Sequence, residues 1–304
     1  MKVFCVGSNR DAAWIDNVEI VNSIEDADAV IFPGGSDWYP ALYGEKTSHQ
    51  TYFYEDVDKH QLKCLIEAYY QNKFLIGICR GAQLLGIANG GVLIQHVSNH
   101  MRGDHNINII GKKDLLTTNS IHHQMVNWYS LASSVEHKNI LLAWADSISN
   151  CYINGTDNET LVPNANYETV PLNSITYREP EIFYLGLIKG FGIQGHPELR
   201  MPSKTLEFIN KYLKILFDKH KDSVNPHNVL IDKRFSNFAD VYPYLKETLN
   251  KVRAIPTIIT TPTPQPTLPL ELPTTKLITT HETTANRSIS NESRVWSDES
   301  ARNV

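Results

Sequence analysis

The chain has 304 residues, of which 41% are hydrophobic and 20% charged, with a formal net charge of -5. That hydrophobic share can build a large core, and the negative balance supplies no global basic field for nucleic acid or an anionic membrane. No apolar run approaches the roughly 20 residues that span a bilayer. The four cysteines, at positions 5, 64, 79 and 151, show neither metal-type pairing nor a disulfide framework, which suits a reducing compartment.

The opening MKVFCVGSNR lacks the long apolar segment and cleavage site of a signal peptide, so a cytoplasmic protein is expected. KVFCVGS (2–8) and DAVIFPGG (28–35) read as buried strands ending in glycine turns. A helix is predicted over 55–72, where Leu62, Leu65, Ile66 and Tyr69 recur at helical spacing between charges. FLIGIC (74–79) is a third buried strand, and RGAQLLGIANG (80–90) continues from it as a helix. LLAWA (141–145) and the strand-like run FYLGLIKGFGIQGHPE (183–198) follow, then a helix over 203–220. Strands alternating with helices predict an α/β fold with a parallel sheet covered on both faces, whose ligands sit at the carboxyl ends of the strands.

Residues 146–176, rich in Asn, Asp, Thr and Pro, read as a long surface insertion, and YPYLKETLNKV within 221–253 reads as a short helix. From Ala254 onward Pro and Thr recur with no helical or alternating period, which cannot build a core. The expected organisation is a globular α/β domain over 1–220, a short extension over 221–253 and a disordered tail over 254–304.

Gly77-Ile78-Cys79-Arg80-Gly81 places a nucleophile between two glycines at a strand-to-helix junction, the pattern of a nucleophile elbow with sulfur in place of oxygen. Glycines there let neighbouring backbones approach without Cβ clashes, and helix N-termini favour the thiolate form of a cysteine. The Arg80 amide can point at a developing oxyanion. Read alone, the pattern also fits an inert buried cysteine. Gly195-His196-Pro197-Glu198 supplies what the thiol needs, a base with a carboxylate two residues on that can fix its tautomer. Phe32-Pro33-Gly34-Gly35 ends the second strand with backbone N–H groups free to face an oxyanion; in isolation it is also an ordinary turn.

Together PGG, GICRGAQLL and GHPE resemble the class I glutamine amidotransferase superfamily. PGGSDWYPALYGE, GICRGAQLLGIANGG and NSIHHQ look most like its γ-glutamyl hydrolase branch, which includes γ-glutamyl-γ-aminobutyrate hydrolases. The resemblance covers about residues 1–215. It implies a flavodoxin-like three-layer sandwich with a mainly parallel central sheet. It also implies a triad of Cys79 as nucleophile, His196 as general base and acid, and Glu198 as orienting carboxylate. Gly35 and Arg80 would form the oxyanion hole through their backbone amides. Gln83 matches the glutamine that contacts a bound glutamine or γ-glutamyl group, and His123 and Gln124 match a segment near the substrate. The family commonly has Trp before His-Pro-Glu; with Gly195 in that place, one wall of the pocket is expected to be more open.

His96, His100, His105, His122 and His123 form a histidine-rich stretch, but their spacing matches no common zinc signature. They are expected in loops lining the pocket, and neither a metal nor an organic cofactor is expected. No phosphate-binding glycine loop is present, since GIANGG lacks the Lys-Ser/Thr of a P-loop. Three readings stay open: a hydrolase of a γ-glutamyl amide, a glutaminase subunit passing ammonia to a separate synthetase or ligase, and a non-catalytic binding protein on the same fold.

Overall fold

The protein's structure, a computed structural model, describes residues 1–101, 103–146, 149, 152–153, 178–223 and 228–254. Most of the expected insertion at 146–176 and all of the expected tail beyond Ala254 lie outside these residues. In chain order the strands are β1 Lys2–Cys5, β2 Glu19–Ile20, β3 Ala29–Phe32, β4 Phe74–Ile78, β5 Leu93–Ile94, β6 His96–Val97, β7 Asp104–Ile109, β8 Leu116–Asn119, β9 Met125–Val126, β10 Ile140–Ala145, β11 Tyr152–Ile153, β12 Pro180–Leu185 and β13 Gly190–Ile193. The helices are α1 Glu55–Tyr70, α2 Arg80–Ala88, α3 Ser203–His220, α4 Val229–Val241 and α5 Leu245–Arg253.

The principal sheet has the order β2-β1-β3-β4-β13-β12-β10-β7-β8. The five strands from β2 to β13 run parallel to their neighbours, and the rest pair antiparallel. The parallel strands explain their own composition. Along β3, Val30 and Phe32 enter one apolar cluster while Ala29 and Ile31 enter the other, and β4 splits Leu75 from Phe74, Ile76 and Ile78 in the same way. A strand buried on both faces has no place for a polar residue, hence AVIF and FLIGI. One face packs against α1, α2, α4 and α5, and the other against Phe208, Ile209, Leu213 and Leu216 of α3. This is the expected flavodoxin-like sandwich.

Two details depart from a simple alternation of strand and helix. The run 183–194 is a hairpin rather than one strand: a tight turn through Lys189, at φ 48°, joins β12 to β13. So short a link permits only antiparallel pairing. Residues 229–253 carry two helices, whose Ile231, Phe235, Phe238, Leu245 and Leu249 join the same apolar cluster as Leu62 and Leu65 of α1.

The sheet order sets the functional geometry. β4 lies between β3 and β13, with Phe32 and Gly192 both in register with Gly77. The chain leaving each of these strands at its carboxyl end therefore meets the other two. Among the described residues no helix is long and apolar enough to cross a membrane.

Candidate active site

Cys79 sits at the junction of β4 and α2 with φ 48° and ψ -104°, a conformation that costs a non-glycine residue on the order of 1–3 kcal/mol. The strain is held on both sides, since the Cys79 amide donates to the Ile193 carbonyl at 2.7 Å and its carbonyl accepts from the Gln83 amide at 3.0 Å. The flanking glycines are required by contact. A Cβ on Gly77 would lie 2.4 Å from the Gly81 carbonyl carbon, and one on Gly81 would lie 2.1 Å from the Phe32 carbonyl oxygen. Backbone atoms this close leave no space for any side chain, so the turn that presents the thiol is available only to a Gly-x-Cys-x-Gly sequence.

His196 follows β13 and reaches the thiol. Its Nδ1 lies 2.8 Å from Glu198 Oε1, and its ring is close enough to Cys79 to feel that side chain. Burial pulls the imidazole pKa down, but Cys79 and Glu198 outweigh it and raise the value to about 10. The imidazole thus stands between Cys79 and Glu198, which together favour its cation. Gly34 supplies the room: a Cβ there would stand 2.9 Å from His196 Cε1 and 3.6 Å from Cys79 Cβ.

Gly35 and Arg80 are also neighbours, with a Gly35 Cβ position 3.0 Å from Arg80 Cδ. The Arg80 side chain points away from the thiol and is fully buried. Its guanidinium bonds with Asp58 and Gln61 of α1 and stacks 3.5 Å from the Trp38 ring centroid. Trp38 in turn donates from Nε1 to the Arg80 carbonyl at 2.8 Å. The buried arginine thus fastens the first turn of α2, whose amides have no intrahelical acceptor and are free to face an anion.

The residues matched to substrate binding lie together. Gln83 donates from Nε2 to the Gln124 carbonyl at 2.8 Å, and Gln124 donates from Nε2 to Thr51 Oγ1 at 3.1 Å. Gln124 is buried, so its side chain holds the segment in place rather than lining open space. His123 is partly exposed, with Nε2 3.1 Å from Asp37 Oδ1 and Nδ1 3.3 Å from His96 Nδ1.

Two expectations are corrected. Gly195 does not open a wall, because Thr118 and Asn119 of β8 already occupy the place of its side chain, the Thr118 hydroxyl 2.5 Å from where a Cβ would stand. The five histidines do not all line a pocket. His96 and His123 adjoin Asp37, while His100, His105 and His122 gather around Glu179 and Glu181 inside the protein. Asn119, Asp37 and Trp38 received no role from the sequence alone, although the NSIHHQ and PGGSDWYP segments contain them.

Residues 13–140 match the family described as Peptidase C26. A glutamine amidotransferase-like protein, the YvdE homolog of Lactococcus lactis subsp. cremoris, is 36% identical over 86 residues, which is 28% of this chain and 46% of that protein. The glutamine amidotransferase-like protein YvdE of Lactococcus lactis subsp. lactis (strain IL1403) is 35% identical over 86 residues, 28% of this chain and 36% of that protein. The chain therefore spans less than half the length of these curated relatives. The crystal structure of a glutamine amidotransferase from Thermotoga maritima covers 83% of this chain, and 97% of its own, at 13% identity and a TM-score of 0.39. The sequence matches, over residues 13–140 for the family model, make this part of the chain similar to glutamine amidotransferase-like proteins.

Proposed function

We propose that this protein hydrolyses the amide bond of a γ-glutamyl compound, an amine derivative or a peptide, through a thioester on Cys79. The observation that carries this reading is the Cys79–His196–Glu198 arrangement at the carboxyl ends of β4 and β13, with the imidazole held as a cation beside the thiol. The Cys79 sulfur attacks the γ-carbonyl, and the carbonyl oxygen becomes an oxyanion facing the Gly35 and Arg80 amides. Collapse breaks the carbon–nitrogen bond, and His196 gives its proton to the departing amine. A water molecule then yields a proton to His196 and attacks the thioester. Glutamate leaves, and the proton returns to the thiol–imidazole pair. Glu198 keeps Nδ1 protonated throughout, which leaves Nε2 to exchange protons with sulfur, amine and water.

Gln83 and His123 are proposed to contact the glutamyl moiety, with Gln124 bracing the segment behind them. A second reading, a glutaminase that hands ammonia to a separate synthetase, draws its support from the glutamine amidotransferase-like relatives.

One experiment separates the readings. Purified protein is incubated with a panel of γ-glutamyl amines, γ-glutamyl peptides and glutamine, and glutamate release is measured beside Cys79→Ala. Release from a γ-glutamyl amine or peptide that disappears in the variant is the expected result. Release from glutamine alone supports the glutaminase. Activity that survives Cys79→Ala overturns both.

A further inference from the structure

Beside the triad lies a second buried polar centre that the hydrolysis does not use. Glu181 opens the core-facing part of β12, and Glu179 precedes it; both side chains are 1% exposed. His100, His105 and His122 converge on them from the segment before β7, from β7 itself and from the loop after β8. Glu181 Oε1 lies 3.4 Å from His100 Nδ1, 3.0 Å from His105 Nε2 and 3.9 Å from His122 Nε2.

The second ring nitrogens show how the imidazoles are set. His100 presents Nε2 to Glu179 Oε2 at 2.9 Å, and His122 presents Nδ1 to the Gln124 carbonyl at 3.0 Å. A carbonyl oxygen only accepts, so His122 Nδ1 carries the proton, and the lone pair of the neutral ring sits on Nε2, facing Glu181. That nitrogen is buried and makes no hydrogen bond with any described residue; nor do His100 Nδ1 and Glu181 Oε2. Each such buried group is destabilising unless something satisfies it. Gln194, which donates its amide to the Glu181 carbonyl at 2.8 Å, adds two more unpaired polar atoms in its buried side chain.

We infer that His100, His105, His122 and Glu181 form a binding site for one divalent transition-metal ion of the zinc class. A tetrahedral ion with bonds of about 2.0–2.1 Å holds its ligand atoms about 3.3–3.4 Å apart; His105 and His100 stand 3.0 and 3.4 Å from Glu181 Oε1, the ligand atoms of these three residues all lie within 4.8 Å of one another, and His122, at 3.9 Å from the same oxygen, would close in as the fourth. Metal-bound histidines commonly donate their other nitrogen to a carboxylate or a backbone carbonyl, the two arrangements that His100 and His122 adopt. A dication would also neutralise two carboxylates that are buried side by side. The consequence is structural. The ion would tie β12 and β7 to the loop that carries His123 and Gln124.

The test uses the full chain carrying Cys79→Ser, so that the catalytic thiol cannot capture the metal. Metal-free protein is titrated with zinc, and bound metal is measured after equilibrium dialysis. One equivalent per chain is expected, with affinity reduced by more than the 10- to 100-fold typical of an outer-shell partner on adding either His105→Asn or Glu181→Gln. Cobalt substitution and X-ray absorption on the Cys79→Ser protein report the ligands without further mutation. Imidazole scattering in a four-coordinate nitrogen and oxygen shell is expected. Failure to bind a stoichiometric ion, or a shell without imidazole, would overturn the site and leave an imidazolium clamped between two carboxylates.

Discussion

Asn119 holds the backbone of His196 from both sides. Its Oδ1 accepts from the His196 amide at 2.7 Å, and its Nδ2 donates to the His196 carbonyl at 2.8 Å and to the Arg200 carbonyl at 3.1 Å. Asn119 ends β8 at the far edge of the sheet, so this one side chain ties His196, the proposed general base, to a strand four places away from β13. It touches no reacting atom and acts by positioning.

Replacing Asn119 by Ala should therefore lower kcat by about 10- to 100-fold with little change in KM, as a misplaced general base does. Stability should fall by about 1–3 kcal/mol, because three backbone groups lose a side-chain partner and the His196 amide loses the one it has. Asn119→Asp keeps the acceptor and loses the donor, and should fall between. If Asn119→Ala has lower stability but an unaltered kcat on the folded protein, the positioning role is wrong.

Gly34 and Gly77 look alike in the sequence and should behave differently. An Ala at Gly34 meets the edge of the His196 ring at 2.9 Å, and a ring can swing by a few tenths of an ångström. Gly34→Ala is expected to melt within a few degrees of the parent and to lose most of its activity. At Gly77 the obstruction is the Gly81 and Ala82 backbone at 2.4–2.5 Å, which cannot yield without breaking the elbow. Gly77→Ala should fail to give a cooperative thermal transition by circular dichroism.

The contrast marks what a sequence can disclose. Gly77, Cys79 and Gly81 were legible because one local turn needs all three, and His196 with Glu198 because the pair is two residues apart. The buried strands were legible through their composition. Asn119 was not, since its role depends on β8 reaching across to the segment after β13. The histidines were misplaced for a related reason. His100, His105 and His122 have no common spacing, and only the antiparallel half of the sheet brings them onto Glu181. The hairpin at β12 and β13 was hidden because the run from Ile182 to Ile193 is apolar apart from the Tyr184 hydroxyl and Lys189.

Arg80 and Asp58 give a stability prediction. Both side chains are fully buried and paired, with Asp58 also accepting from the Tyr39 amide and the Tyr242 hydroxyl, each at 3.2 Å. Asp58→Ala would leave the guanidinium buried without its counter-charge, at a cost of about 3–5 kcal/mol. The paired change Arg80→Met with Asp58→Leu should recover a good part of that loss. Urea unfolding of the two variants beside the parent measures both effects. Equal destabilisation by the single and double changes would show that the ion pair is not what holds α1 to α2.

The pH dependence follows from His196. Its folded pKa of about 10 lies above the ordinary 6.5, so the folded protein holds that proton more tightly than the unfolded chain. Its contribution to stability is therefore complete below pH 6.5 and is lost as the pH rises through about 10. Catalysis loses the same proton, because an imidazole without it cannot protonate the leaving amine. The alkaline limb of kcat/KM should accordingly lie high, near pH 10. Glu198→Gln removes one of the two partners that favour the cation, so it should draw this limb toward neutrality and lower the rate by about 100-fold or more. Cys79→Ala removes the other partner, and its histidine can be followed directly by NMR titration. The imidazole should titrate well below its parent value in Cys79→Ala. An unmoved titration would mean that thiol and imidazole do not share a proton, and the acylation step would need a different acid.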